Sequence, residues 1–174
     1  HPLTTERIAD MQNRQELLPK LAPAALTMAH AMMAARARVL SNTSVERLRA
    51  TVAELGNTQQ VSDSAARQAG QLYAAALASS RLREFSKANQ YLGKLKALAR
   101  DNAAAARPIR LLATEMALAA GDARLAREAL GETSGAPGDR AALFLWAQIL
   151  TQTGQAALVS QHLQTWVANH PSDA

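Results

Sequence analysis

Apolar residues recur three and four positions apart along most of this chain, the spacing that places them on one face of an α-helix. The clearest stretch runs from Leu143 to Pro171. Leu143, Trp146, Ala147 and Leu150 share one stripe, Thr153-Gly154 makes a turn, and Val159, Leu163 and Trp166 form a second stripe that stops at Pro171. Gly154 permits the left-handed backbone that ends one helix, and Pro171 cannot continue the next. The small Ala147 lets the second helix come close. The pattern predicts a helix hairpin with an apolar seam.

The same pattern returns upstream. A helix is predicted from Ala24 to Leu40, carrying Met28, Met32 and Val39, then a polar break over 41–44 with Ser44 as a cap. Val45, Leu48, Val52 and Leu55 make the next helix, which ends at Gly56-Asn57, and a polar loop follows to Asp63. The stretch from Ala65 to Ser80 holds Leu72 and a small Ala76, Arg83-Glu84-Phe85 turns the chain, and Ala88, Leu92 and Leu95 form the returning stripe. A further pair starts near Ala104 with Ile109, Leu112, Ala113 and Met116, turns at Gly121-Asp122 and returns through Ala126 and Leu130. Its two helices are one residue out of phase relative to the final pair, which predicts a slightly lengthened turn. Residues 131–138 form a loop rich in helix breakers.

Spacing makes the repeat explicit. Ala76, Ala113 and Ala147 lie 37 and 34 residues apart, and Leu92, Leu130 and Leu163 lie 38 and 33 apart. A period near ~34 residues with helix–turn–helix content is the tetratricopeptide signature, and such units cover one another's apolar faces by stacking. The predicted fold is all-α, a tetratricopeptide-like α-α superhelix of about four helix hairpins over residues 23–174; a plain helical bundle is the alternative. Residues 1–22 read as a separate linker helix, capped by Thr4 or Thr5. Its apolar positions, Ile8, Met11 and Leu18, are too sparse to stand alone, and Pro19 and Pro23 interrupt the chain after it.

Composition narrows the chemistry. With 174 residues and only 3% aromatics, the interior must be built mainly from Leu and Ala. The absence of cysteine excludes a disulfide framework, a thiol nucleophile and thiolate metal sites. No apolar run approaches the ~20 residues of a membrane span. The net charge of +5 comes mostly from Arg interspersed with Asp and Glu, as at Arg81, Arg83, Glu84 and Lys87. This reads as a solvated helix surface, and without a basic tract carrying interleaved aromatics, nucleic acid is not an expected partner. The four histidines, His1, His30, His162 and His170, form no H-E-x-x-H pair and no set of three converging metal ligands. His30 reads as packed or half-exposed, His162 and His170 as surface residues. No Gly-rich phosphate loop and no Ser-His-Asp arrangement is visible, so the chain by itself is not expected to be an enzyme or to hold a cofactor.

The opening segment His1-Pro2-Leu3-Thr4-Thr5-Glu6-Arg7-Ile8-Ala9-Asp10 resembles the segment that follows the catalytic domain in bacterial periplasmic H-E-x-x-H zinc metallopeptidases, which carry a C-terminal tetratricopeptide domain and act in outer-membrane protein quality control. The likeness is close over those ten residues; from Ala24 onward it is one of architecture. The zinc-binding helix and its glutamate partner are absent from this chain. What the resemblance implies is a parent protein with zinc in its protease domain and a periplasmic location. In that parent, His1 would lie near the active-site cleft and could fill the open coordination position of the zinc, holding the enzyme silent. Arg7 would be close to the same cleft.

The first helix of each hairpin lines the concave face of such arrays. By that phase Tyr73, Leu77, Arg107, Arg110, Thr114, Phe144 and Gln148 are expected to point into a groove, with Phe144 the one most readily taken for core. Aromatic and aliphatic anchors beside Arg suit an extended or helical peptide with some acidic character. The expected function is protein–protein interaction: recruitment of substrates or outer-membrane assembly partners to the metallopeptidase, with gating of its active site by contact with the chain's own protease domain. A free-standing helical-repeat adaptor with no protease partner domain is the alternative.

Overall fold

Six of the described helices begin where a side chain satisfies orphan amides of the first turn. Thr27 Oγ1 accepts from the His30 amide at 3.1 Å, Ser44 Oγ from Arg47 at 3.3 Å and Ser64 Oγ from Arg67 at 3.3 Å. Asn102 Oδ1 accepts from Ala105 at 3.1 Å, Asp122 Oδ1 from Leu125 at 2.8 Å and Asp139 Oδ1 from Ala141 at 2.9 Å. The computed structural model describes Arg7 and residues 25–57, 64–131 and 138–170. Among these residues there are eight helices and no strand. They are α1 (Met28–Ser41), α2 (Val45–Asn57), α3 (Ala65–Arg81), α4 (Phe85–Leu98), α5 (Ala103–Ala119), α6 (Ala123–Leu130), α7 (Arg140–Gln152) and α8 (Ala156–Asn169). The predicted start of the first of these at Ala24 is too early, because Thr27 holds an extended backbone and caps the helix at Met28. The linker over 1–22 (Arg7 apart), the loops at 58–63 and 132–137 and the stop at Pro171 lie outside the described residues.

Three turns share one backbone. Arg83, Gly121 and Gly154 take left-handed φ values of 61°, 82° and 78°. The amide after each bonds back to the last helical turn: Glu84 to the Ser79 carbonyl at 2.9 Å, Asp122 to Ala117 at 3.0 Å and Gln155 to Leu150 at 2.8 Å. This is the Schellman closure of a helix. The lengthened turn expected at Gly121 is therefore absent, and the apparent phase slip has another origin. Counted seven residues back from the left-handed position, the small interhelical slot falls on Ala76, Thr114 and Ala147, all buried. The slot in α5 belongs to Thr114 rather than Ala113, and with that change the first helices step by the same 38 and 33 residues as Leu92, Leu130 and Leu163.

Packing makes an all-α, tetratricopeptide-like stack of hairpins. The first helices of the pairs, α1, α3, α5 and α7, form an inner row, with α4 against α3 and α5, α6 against α5 and α7, and α8 against α7. One core, including Met32, Leu48, Tyr73, Leu77, Leu95 and Leu112, spans α1 to α5. A smaller one, including Leu118, Leu130 and Ile149, joins α5 to α7. The first unit departs from the hairpin expected of it. α1 and α2 make little direct contact; both rest on α3, and α1 also reaches α5. The α1–α3 approach depends on glycine: a Cβ built on Gly70 would sit 2.9 Å from the Ala31 carbonyl oxygen. At the other end α8 buries no residue fully, and Leu158 and Val167 are exposed.

Two substitutions separate packing from backbone strain. Gly70→Ala would improve helix propensity by ~1 kcal/mol, but the collision with the α1 backbone outweighs it, and we expect a net loss of about 1–2 kcal/mol in urea unfolding. Arg83 is a non-glycine residue in the left-handed region, with its guanidinium 5.3 Å from the Phe85 ring centre. Arg83→Gly relieves strain of ~1 kcal/mol and forfeits a weaker cation–π contact, so unfolding should require more urea, by up to about 1 kcal/mol.

Candidate functional site

Register places the groove. Ten residues before the left-handed turn stand Tyr73, Leu111 and Phe144; six before it stand Leu77, Glu115 and Gln148; two before it stand Arg81, Ala119 and Gln152. All line one groove of about 680 Å³ along the inner row, to which α1 adds Met33 and Arg36. A stripe recurring every three to four residues on a helix makes this inevitable once the helices lie side by side. The floor is Tyr73 and Leu77, both about 1% exposed, whereas Phe144 stands 51% exposed in the wall. Sequence phase alone suggested the opposite, with Phe144 nearest to core. Phe144 is exposed because α7 has only α5 and α6 beside it on that flank, while α3 is surrounded.

Charge is concentrated at the α1–α3–α5 junction. Glu115 accepts from Arg36 at 2.6 Å and from Arg81 at 3.0 Å, so one carboxylate ties three helices. Arg36 also donates to the Tyr73 hydroxyl at 3.4 Å, a weak bond by its length. Burial pushes the Tyr73 hydroxyl above its usual pKa, and Arg36 only partly offsets this. For Arg36, burial acts to lower the pKa, but the bond to Glu115 and its charge prevail and the guanidinium is held more firmly charged. At the other end of α5, Arg107 makes a two-pronged pair with Asp139, at 3.0 and 2.8 Å, and Asp139 also caps α7. The bond from Arg107 holds the Asp139 carboxyl below its ordinary value, helped by the α7 amides and opposed by partial burial.

Of the residues expected in the groove, Tyr73, Leu77, Arg107, Phe144 and Gln148 line it. Arg110 and Thr114 do not. Arg110 is exposed on another face of α5, and Thr114 is buried with its hydroxyl bonded to the Arg110 carbonyl at 3.0 Å. Both misplacements follow from the one-residue slip in α5; the correct register selects Leu111 and Glu115. Arg36, Arg81 and Glu115 escaped sequence reasoning, although Arg81 and Glu115 occupy predictable positions once the turns are aligned. Arg7 is helical and exposed, and His1 lies outside the described residues.

The remaining polar groups stand apart. His30 is exposed; His162, expected at the surface, is half-buried with its ring edge-on to Trp146 at 4.8 Å, and His170 stacks on Trp166 at 3.9 Å. Among the described residues no three His, Asp or Glu side chains gather as a metal ion requires, and no helix is long and apolar enough to cross a membrane. A second cavity of about 630 Å³ opens where α1 and α2 splay over Gly70 and Ala74 of α3.

The fold thus defines a tetratricopeptide-like array of helix hairpins carrying a mixed apolar and basic groove. No protein-family model, curated protein or solved structure matches the chain.

The Asp139 pair has a pH signature. Its folded-state pKa is depressed, so its contribution is present above the ordinary value near 3.8 and fades as pH falls through the lower folded value. Both partners are a third or more exposed, so the pair is worth under about 1 kcal/mol. Asp139→Asn keeps the cap and should flatten the acid limb of stability measured by chemical unfolding across the carboxylate range, from about pH 5 to about pH 2. Asp139→Ala should cost about 1 kcal/mol more at neutral pH through loss of the cap.

Proposed function

We propose that this chain is a polypeptide-binding module and that the inner groove is its recognition surface. The observation that carries the reading is an exposed aromatic, Phe144, beside the half-buried Leu111 and Leu145 and in one groove with the guanidinium of Arg81. Aromatic anchors next to Arg are the composition of binding hot spots, and a groove walled by parallel helix faces suits an elongated ligand. The rigid scaffold comes from the stacked pairs, so the groove is formed before a ligand arrives and little ordering opposes binding.

The wider setting rests on the likeness of His1–Asp10 to the segment after the catalytic domain of periplasmic zinc metallopeptidases. On that reading the module recruits substrates or outer-membrane assembly partners to a protease domain of the same parent protein, in the periplasm, and contacts that domain near its cleft. The chemistry then belongs to the parent's zinc domain, and this chain contributes recognition without catalysis or a cofactor of its own.

Fluorescence anisotropy with capped twelve-residue peptides of leucine-phenylalanine helical pattern tests the groove. Phe144→Ala should weaken binding by roughly tenfold or more while leaving the melting temperature nearly unchanged, since the ring is half in water. Equal binding by the variant would remove this face as the site.

A further inference from the structure

The groove carries its own acid. Arg36 and Arg81 approach it from neighbouring helices, and both bind the single carboxylate of Glu115, which rises from α5 between them. Two guanidiniums against one carboxylate leave an excess positive charge at that point. Arg81 gives Glu115 one terminal nitrogen, and a guanidinium has five N–H donors in all, so a second carboxylate can be accommodated. The arrangement is also half open: the side chains of Arg36, Arg81 and Glu115 are 33%, 45% and 20% exposed. Ion pairs this accessible add little to folding, so stability alone is a weak reason for three charges on the wall of a groove. Apolar lining flanks these charges, Met33 on α1 and Leu111 and Phe144 on α5 and α7.

We infer that Glu115 is a built-in rival for the ligand's carboxylate, grading the groove's affinity for a peptide that carries an internal acidic side chain between bulky apolar ones. The inference rests on the groove taking a polypeptide, as proposed above. The incoming Asp or Glu binds the free edges of Arg81 and Arg36, while Glu115 both shares those donors and repels the newcomer. Its presence keeps the interaction modest and releasable. Charge complementarity selects the partner, since neither a basic nor a neutral segment gains from the surplus at this junction. The acid is placed between apolar residues because apolar side chains line the groove on both sides of the guanidiniums, Met33 on α1 and Leu111 and Phe144 on α5 and α7.

Two acetylated, amidated twelve-residue peptides with the same leucine-phenylalanine pattern and a central Glu or Gln provide the test. Their affinities are read by anisotropy for the unmodified chain, Glu115→Gln and Arg81→Gln, at low and high salt. The unmodified chain should favour the Glu peptide by a few fold. Glu115→Gln should widen that preference roughly tenfold, with a steeper salt dependence, because a like charge close to the ligand has gone. Arg81→Gln should erase it. If Glu115→Gln binds both peptides as the unmodified chain does, the rivalry is refuted and the groove reading stands. If neither peptide binds any of the three proteins, the groove reading itself fails and takes this inference with it. Circular dichroism accompanies the titrations; a Glu115→Gln chain that has lost its helices would make the residue a structural tie and overturn the assignment.

Discussion

Along α3 the side chains facing neighbouring helices are mostly Ala or Gly: Ala69, Gly70, Ala74, Ala75, Ala76 and Ala78 are all buried. With so little between backbones, α1, α2, α4 and α5 can all lie directly on this one helix. Dispersion and the removal of apolar surface from water then act over many short contacts rather than a few large ones. The arrangement tolerates loss of a methyl poorly and gain of one worse, because a helix backbone cannot step aside as a long side chain can. Gly70 against the Ala31 carbonyl is the extreme case. The chain's low aromatic content follows from the same constraint: Tyr73 is the single ring among the largest fully buried side chains.

The groove is a by-product of that packing. Once α3 is encircled, the stripe on its remaining side and the matching stripes of α5 and α7 face a common space. The same left-handed closure at Arg83, Gly121 and Gly154 brings residues at equal distances before each turn into it. Polar groups near the floor are tied down, Tyr73 by Arg36 and Glu115 by two guanidiniums. Phe144 is left in water because the row is less well covered at its α7 end. The groove is therefore closely packed at its α3 end, around Tyr73 and Leu77, and open to water at its α7 end, at Phe144.

Much of this was legible beforehand. Helical spacing located every described helix, with the start of α1 set too early, and Gly121 and Gly154 marked their turns because glycine alone enters the left-handed region freely. At Arg83 the turn was legible only from the change of stripe, since nothing about arginine announces a positive φ. The groove was half legible: Tyr73, Leu77, Phe144 and Gln148 came out in the right phase, and Arg110 and Thr114 did not. Thr114 was missed because a threonine filling a slot held elsewhere by alanine looks, in sequence, like a polar surface residue; its hydroxyl is satisfied within its own helix and needs no water.

The sequence by itself determined the helices, the cap at Ser44 and the left-handed turns at Gly121 and Gly154, since each depends on residues within one turn or one hairpin. Tertiary structure decided the rest. Whether Tyr73 or Phe144 is covered depends on how many helices surround α3 and α7. That α1 lies so close on α3 depends on the room Gly70 leaves beside the Ala31 carbonyl. That Arg36, Arg81 and Glu115, far apart in the chain, meet at one point depends on three helices converging. Local pattern records which face of a helix is apolar, but not which neighbour covers it, and burial and charge pairing are properties of that neighbour.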